Sequence, residues 1–330
     1  MLPHSPLISV VIPTYNRGVL LKKAIESVVA QSYENIEIII VDNNSTDNTN
    51  EVISSFVDSR IKVYKIHNQG IIAASRNLGI KNAKGDWIAL LDSDDFWFPS
   101  RLEAVLEYTR SPHQFDVLST DEIQLCSTTK KTSKLVYGPL GRNAYKSLLL
   151  DRNKLSPSAV LIKSAFLQEK NIQISEDKNV NTVEDYDLWL NIAIAGGKFK
   201  FIHSFEGVFL VHDKQTSTSE TNRINSARLR NYHVLNKQTF ESDKGKLLRD
   251  LDARIHFGEL IRSLNKNSFP SACYQIIVAF FKNPVTLSFL CFTRISDKAQ
   301  NKVLTLLDIL TGKTKGRISS VDGSDKLSSL

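Results

Sequence analysis

Ile88-Ala89-Leu90-Leu91-Asp92-Ser93-Asp94-Asp95 runs four apolar residues straight into three carboxylates spread over four positions. An apolar run without alternation reads as a strand buried on both faces, as in a parallel sheet. Carboxylates crowded at its end repel one another, so one must take up a proton or a cation must sit among them. A hard divalent metal, which favours oxygen ligands, is the economical partner. The plainer alternative is a solvated acidic turn in which Asp92 or Ser93 caps a following helix.

The residues before this stretch repeat its pattern. Leu7 to Ile12 is a β-branched apolar run ended by Pro13, and Ile36 to Val41 is a second one ended by Asp42. Ile61 to Ile66 is a third strand and Trp87 to Leu91 the fourth. Between them, Arg17 to Gln31 carries Leu20, Leu21, Ala24, Ile25, Val28 and Val29 at helical spacing. Helices are also expected from the cap-rich turn Asn43 to Asp47 to about Phe56, and over 71–83. Alternating strands and helices with short links predict an α/β fold, with parallel strands and right-handed crossovers. Ligands in such sheets bind beyond the carboxyl ends of the strands. Thr14 to Asn16, Asp42 and Asp92 to Asp95 all stand at such ends, so the fold should gather them in one crevice.

Further on, a helix is expected from Pro99 to about Arg110 and a fifth strand over Phe115 to Ser119. Residues 121–139 read as a hairpin or exposed loop, and 140–150 and 163–169 as helices. Val183-Glu184-Asp185-Tyr186-Asp187 opens a helix ended by Gly196-Gly197, and Phe199 to Ile202 and Gly207 to Val211 read as two short strands. Beyond Ile224 the pattern turns to helices at roughly 224–240, 246–264, 270–281, 285–294 and 297–310. The expected organisation is a catalytic domain over 1–222, a helical region over 223–312 and a disordered Ser/Gly/Lys-rich tail over 313–330.

Composition sets outer bounds. The chain has 330 residues, 42% of them hydrophobic and 23% charged, which fits a sizeable packed core. Three scattered cysteines, Cys126, Cys273 and Cys291, argue against a disulfide framework and for a reducing, cytoplasmic compartment. The start, Met1-Leu2-Pro3-His4, has no basic and apolar leader, and no apolar run reaches about 18 residues, so neither a signal peptide nor a membrane span is expected. The net charge of +7 is uneven: residues 221–330 carry 18 Lys plus Arg against 9 Asp plus Glu, and the rest is slightly acidic. A basic tail behind an acidic site points to an anionic membrane surface rather than to nucleic acid. Its apolar runs Tyr274 to Phe281 and Leu287 to Phe292, broken at Pro284, either cap the protein or dock peripherally on the inner face of a membrane.

Neither a Gly-x-Gly-x-x-Gly turn nor a Gly-x-x-x-x-Gly-Lys-Ser/Thr loop is present. A bound phosphate must therefore be balanced by a metal and by side chains such as Arg76. Ser9 to Asn16, Val41 to Asp47, Ala73 to Asn77, Leu91 to Asp95 and Glu184-Asp185, in this order, resemble the inverting family 2 glycosyltransferases of the GT-A fold, over about residues 6–215. The resemblance implies a Rossmann-like, mostly parallel sheet with flanking helices. It implies transfer of one sugar from a nucleotide-diphospho-sugar, most often UDP-linked, to a hydroxyl of a surface polysaccharide, lipopolysaccharide or lipid-linked saccharide.

Site roles follow from the same resemblance. Asp42 accepts from the imide N–H of the base, Pro13, Thr14, Tyr15 and Asn16 surround base and ribose, and Arg76 and Ser93 belong to the donor site. Asp94 is the direct ligand of Mn²⁺ or Mg²⁺ and Asp95 a second contact, with Asp92 touching the ribose or supporting the metal shell and His212 near the metal or the diphosphate. An inverting displacement needs one base for the attacking hydroxyl. Asp185 takes that role, with Glu184 orienting it or meeting the acceptor, while Asp187 competes from another side of the helix. Trp189 either stacks on an acceptor sugar or belongs to the core, and the Gln-x-x-Arg-Trp motif of processive synthases is absent. A sugar nucleotidyltransferase or a non-catalytic nucleotide-sugar-binding protein is the alternative. The first lacks its basic, Gly-rich loop, and Asp94 with Asp185 speaks against the second.

Overall fold

The computed structural model describes residues 5–110, 114–213, 220–265 and 269–283, with residue 286. The chain separates into two compact units, Met1–His233 and Val234–Leu330.

The first unit begins with the expected alternation. Strands β1 (Ile8–Thr14), β2 (Ile36–Asp42), β3 (Ile61–Lys65) and β4 (Trp87–Leu90) alternate with helices α1 (Gly18–Val29), α2 (Thr49–Ser54) and α3 (Ile72–Asn82). The four strands pair in parallel in the order β3-β2-β1-β4. Every residue of β1, β2 and β4 is buried, because both faces of this half-sheet are covered. On one face Ile8, Val10, Ile12, Ile36, Ile38, Ile40, Trp87 and Ala89 meet Leu21, Ala24, Ile25 and Val28 of α1. The latter four sit at the i, i+3, i+4, i+7 positions that make one helical stripe. Each such side chain taken out of water stabilises the fold by about 1.5–3 kcal/mol. On the other face α3 lies so close to β1 that a Cβ at Gly79 would stand 2.3 Å from Val11 Cγ1. A larger residue there would lift α3 off the sheet, and with it Arg76, one turn earlier on the same face.

Beyond β4 the sheet becomes mixed. It continues through β5 (Phe96–Trp97), α4 (Arg101–Thr109), β6 (Val117–Cys126), β7 (Thr132–Leu135), α5 (Ala144–Asp151), β8 (Val160–Lys163), α6 (Ser164–Glu169), α7 (Glu184–Ile194) and β9 (Phe199–Val211). The full order is β3-β2-β1-β4-β8-β6-β9-β5, with β7 on β6. β8 is antiparallel to both β4 and β6, while β6 and β9 run parallel. Three expectations are revised here. The fifth strand runs on to Cys126 and forms the hairpin with β7. The two short strands near 200 and 210 are one strand, β9, which absorbs the irregularity as register shifts around Asp121. β5 and β8 were not anticipated, being too short or too close to a helical pattern to stand out.

Helix α8 (Glu220–Asn236) spans the division between the units. Its first part belongs to the first unit because Asn222 and Asn225 donate to the carbonyls of Thr182 and Asn181, and His233 meets Asp187. The first unit thus runs to His233. In the second unit α9 (Lys244–Asn265) and α10 (Phe269–Lys282) pack on each other, burying Leu247, Leu251, Phe257, Leu260, Ala272, Ile276 and Ala279. Tyr274, Ile277 and Phe281 stay exposed on α10. No helix among the described residues is long and apolar enough to cross a membrane. The helices expected over 285–294 (apart from residue 286) and 297–310, and the tail over 313–330, lie outside the described residues.

Candidate active site

At the carboxyl ends of β1, β2 and β4 lies a cleft of about 350 Å³, lined among others by Pro13, Thr14, Tyr15, Arg76, Asp92, Ser93 and Asp94. Asp42 ends β2 and is fully buried. Its Oδ1 accepts from the backbone N–H (3.1 Å) and hydroxyl (2.5 Å) of Ser45. Its Oδ2 is buried with no partner, and so is the Oγ1 of Thr14. Buried polar atoms are normally paired, so orphaned acceptors at strand ends mark where a ligand's donors belong. Asn16 also ties two loops together. It adopts a left-handed backbone (φ 49°), which asparagine tolerates. Its N–H donates to Ser45 Oγ and its Oδ1 accepts from the N–H of Thr46, locking the β1 and β2 loops together. Tyr15 is more than half exposed at the cleft.

The acidic motif divides its three carboxylates sharply. Asp95 is buried, and both its oxygens are engaged: Oδ1 accepts from the N–H of Leu210 on β9, Oδ2 from the hydroxyl of Ser158. Ser158 Oγ in turn accepts from the N–H of Asp92. Burial, then the nearby Glu122, Asp94 and Asp92, hold the Asp95 carboxyl well above its usual range. Asp95 therefore fastens the motif to β9. Asp94 Oδ2 meets the Arg17 guanidinium at 2.7 Å and His212 Nε2 at 2.8 Å. Asp92 Oδ1 accepts from Arg76 Nη2 at 2.7 Å. The three motif carboxylates offer oxygens within 4.8 Å of one another. Hard oxygen ligands beside one imidazole form a donor set that suits a divalent cation.

Arg76, on α3, joins this motif to the helix that carries the expected base. It is almost fully buried, and its Nη1 reaches Glu184 Oε1 on α7, also at 2.7 Å. Burial works against its charge, but Asp92 and Glu184 more than offset that and keep it protonated. Glu184 is thus spent largely on Arg76, and only its Oε2 is left without a partner. Asp185, the next residue, is pushed up to about 7 by burial and by Glu184, against the pull of Arg76. Its Oδ2 accepts from the side-chain amide of Asn153. A carboxylate poised there is matched to proton transfer near neutrality. Asp187 is tied elsewhere: Oδ1 meets His233 Nε2 at 3.1 Å and Oδ2 accepts from Asn191. His233 is fully buried and its Nδ1 meets the Tyr145 hydroxyl, so Asp187 belongs to a clasp between α5, α7 and α8. Trp189 is fully buried and is core, not a sugar platform.

Arg17, Ser45, Asn153 and Ser158 were not among the residues picked from the sequence. Arg17 was visible beside Pro13 to Asn16, but its partner lies 77 residues away. Ser158, one of two serines in Leu155-Ser156-Pro157-Ser158, carries no signal of its own.

A parallel half-sheet that gathers an orphaned aspartate and an acidic cluster at its strand ends, bridged through Arg76 to the helix that carries Asp185, fits the GT-A class of glycosyltransferases. Residues 9–172 match the family described as Glycosyl transferase family 2. An uncharacterized glycosyltransferase of Haemophilus influenzae is 31% identical over 234 residues, 68% of this chain and 86% of that protein. The Escherichia coli UDP-Glc:alpha-D-GlcNAc-diphosphoundecaprenol beta-1,3-glucosyltransferase WfaP is 31% identical over 222 residues, 65% of this chain and 81% of that one. Among solved structures, S. aureus TarS 1-349 in complex with UDP-GlcNAc superposes with a TM-score of 0.62 at 18% identity, covering 96% of this chain and 95% of that chain. Mannosyltransferase PcManGT from Pyrobaculum calidifontis, in complex with GDP-Man and Mn2+, gives 0.57 at 16% identity, covering 97% and 89%. At these identities the structural likeness establishes the fold. The chain belongs to glycosyl transferase family 2 and is a glycosyltransferase.

Proposed function

We propose that this protein is a metal-dependent, inverting transferase that moves one sugar from a UDP-sugar to a hydroxyl of a lipid-linked or surface saccharide. The observation that carries the reading is the bridge Asp92–Arg76–Glu184, which sets the acidic motif and the neighbour of Asp185 on either side of one guanidinium. Leaving group and nucleophile must stand on opposite sides of the anomeric carbon in a single displacement, and this bridge supports that division. In the reaction, Asp185 takes the proton of the acceptor hydroxyl while that oxygen bonds to the anomeric carbon and the bond to the diphosphate breaks. Asp42 and Thr14 hold the base, with Pro13, Tyr15 and Ser93 around it and Asn16 fixing the loop. Asp94 and His212 are assigned as the groups that hold Mn²⁺ or Mg²⁺, with Asp92 in support and Asp95 as the anchor of the motif. A cation there supplies charge neutralisation for the diphosphate.

The choice of UDP and of a lipid-diphosphate-linked acceptor is supported by the likeness to WfaP. A cytoplasmic site at an anionic membrane surface accords with the basic excess of residues 221–330 and with Tyr274, Ile277 and Phe281 exposed on α10.

The test is nucleotide release from UDP-glucose, UDP-GlcNAc and GDP-mannose, with Mn²⁺, with Mg²⁺ and after chelation, in wild type and Asp185→Asn. Expected are release from a UDP-sugar that needs the cation, rates that rise with pH through about 7, and loss of transfer in Asp185→Asn with UDP binding kept. Undiminished turnover after chelation removes the metal assignment, and an active Asn variant removes the base.

A further inference from the structure

Residues outside the five motifs also bear on the expected base. Asn153 follows α5, and both ends of its amide are used. Its Oδ1 accepts from the N–H of Leu155 at 3.1 Å, and its Nδ2 donates to Asp185 Oδ2 at 2.9 Å. The exposed side chain is therefore oriented from behind and presents its donor to Asp185. The residue before it, Arg152, has φ 73° and ψ −178°, a region that is essentially glycine's. Such strain persists only where the surroundings enforce it. Thr182, two residues before α7, is likewise left-handed at φ 75°, an outlier for a β-branched side chain. Two strained non-glycine residues thus flank Asp185 from the two segments that meet at it.

We propose that Asn153 is a positioning residue of the transfer reaction: its amide pins Asp185 Oδ2, fixes the rotamer of the carboxylate and leaves Oδ1 to take the acceptor's proton. The proposal rests on Asp185 being the base. A donor to the ionised carboxylate also favours that form. It works with Arg76 from α3 and against burial, Glu184 on α7 and Asp92 beyond β4. Without Asn153 the rotamer is free, and the carboxyl holds its proton to higher pH.

Asn153→Ser keeps an oxygen for the N–H of Leu155 but is one atom too short to reach Asp185. Asn153→Asp keeps the shape and the Leu155 contact but replaces the donor by a charge. Each is compared with wild type for thermal melting, for UDP binding by calorimetry in the presence of Mn²⁺, and for the pH profile of UDP release from UDP-glucose and UDP-GlcNAc. Expected for Asn153→Ser are unchanged melting and UDP affinity, a kcat lowered about tenfold with KM for the donor unmoved, and an acid limb displaced to higher pH. Asn153→Asp should displace the limb further. The ¹³C resonance of the Asp185 carboxyl, assigned with Asp185→Asn, gives the same midpoint without turnover. An Asn153→Ser protein with wild-type kcat and an unmoved Asp185 midpoint overturns the proposal. If instead Asp185→Asn itself stays active while the midpoint in Asn153→Ser moves, the base assignment has failed and the hydrogen bond has not.

Discussion

Replacing Arg76 by methionine separates the structural from the chemical work of the site. Arg76 is 4% exposed and makes two charged contacts of 2.7 Å, to Asp92 and to Glu184. Methionine fills a similar volume but leaves the Glu184 carboxylate, itself 7% exposed, without its partner. Breaking a buried ion pair by removing one member costs about 3–5 kcal/mol, because the remaining charge is stranded. For a unit of this size each kcal/mol moves the melting temperature by about 2–4 °C, so a fall of roughly 6–20 °C is expected at neutral pH. The loss must depend on pH with a definite sign. Arg76 is also the charge that pulls the Asp185 carboxyl down, so without it Asp185 holds its proton to higher pH in the folded state than in the unfolded chain. The variant is therefore least handicapped at low pH and loses stability as pH rises through the folded-state values. The gap to wild type should be narrow at pH 5 and wide at pH 8, read by circular-dichroism melting across that range. Arg76→Lys should fall between, since one ammonium cannot bridge two carboxylates in the planar fork of a guanidinium. An Arg76→Met protein that melts within about 2 °C of wild type at pH 8 would refute the reasoning.

Asp42→Asn removes a charged acceptor from a buried strand end and should weaken UDP binding by about 1.5–3 kcal/mol, roughly 10- to 150-fold, with little change in melting; calorimetry with UDP and Mn²⁺ decides it. His233→Ala takes the shared partner from Tyr145 and Asp187 in a fully buried place, and should cost about 2–4 kcal/mol of stability, seen as earlier melting. Arg17→Ala, which removes the charge 2.7 Å from Asp94, should leave melting nearly unchanged because both side chains are partly exposed, and should alter the Mn²⁺ concentration needed for half-maximal UDP binding.

Much of the site was legible because its signals are local. A β-branched run that ends in Asp42, and another that ends in Asp92-Ser93-Asp94-Asp95, needs only neighbouring residues to be read as a strand with a polar end. The α1 stripe is equally local. The limits lay where partners are remote. Asp94 meets Arg17, 77 residues away, which no spacing rule links to it, and His212, 118 residues away, which only the family resemblance brought near it. Trp189, four residues from Asp185, looked as fit for a sugar as for the core, and only packing showed it fully buried. β8 hid inside Val160-Leu161-Ile162-Lys163, where an antiparallel strand joins β4 to β6.

The sequence by itself determined the parallel half-sheet and set Asp42 and the acidic motif at its strand ends, because hydrophobic period and clustered like charge act between near neighbours. Only the tertiary structure decided which oxygens are already taken. Asp95 has given both of its own to Leu210 and Ser158, whereas Asp42 keeps one buried and unpartnered. Hydrogen-bond satisfaction is settled between segments far apart in the chain, and it is what separates an anchoring aspartate from one left to meet a ligand.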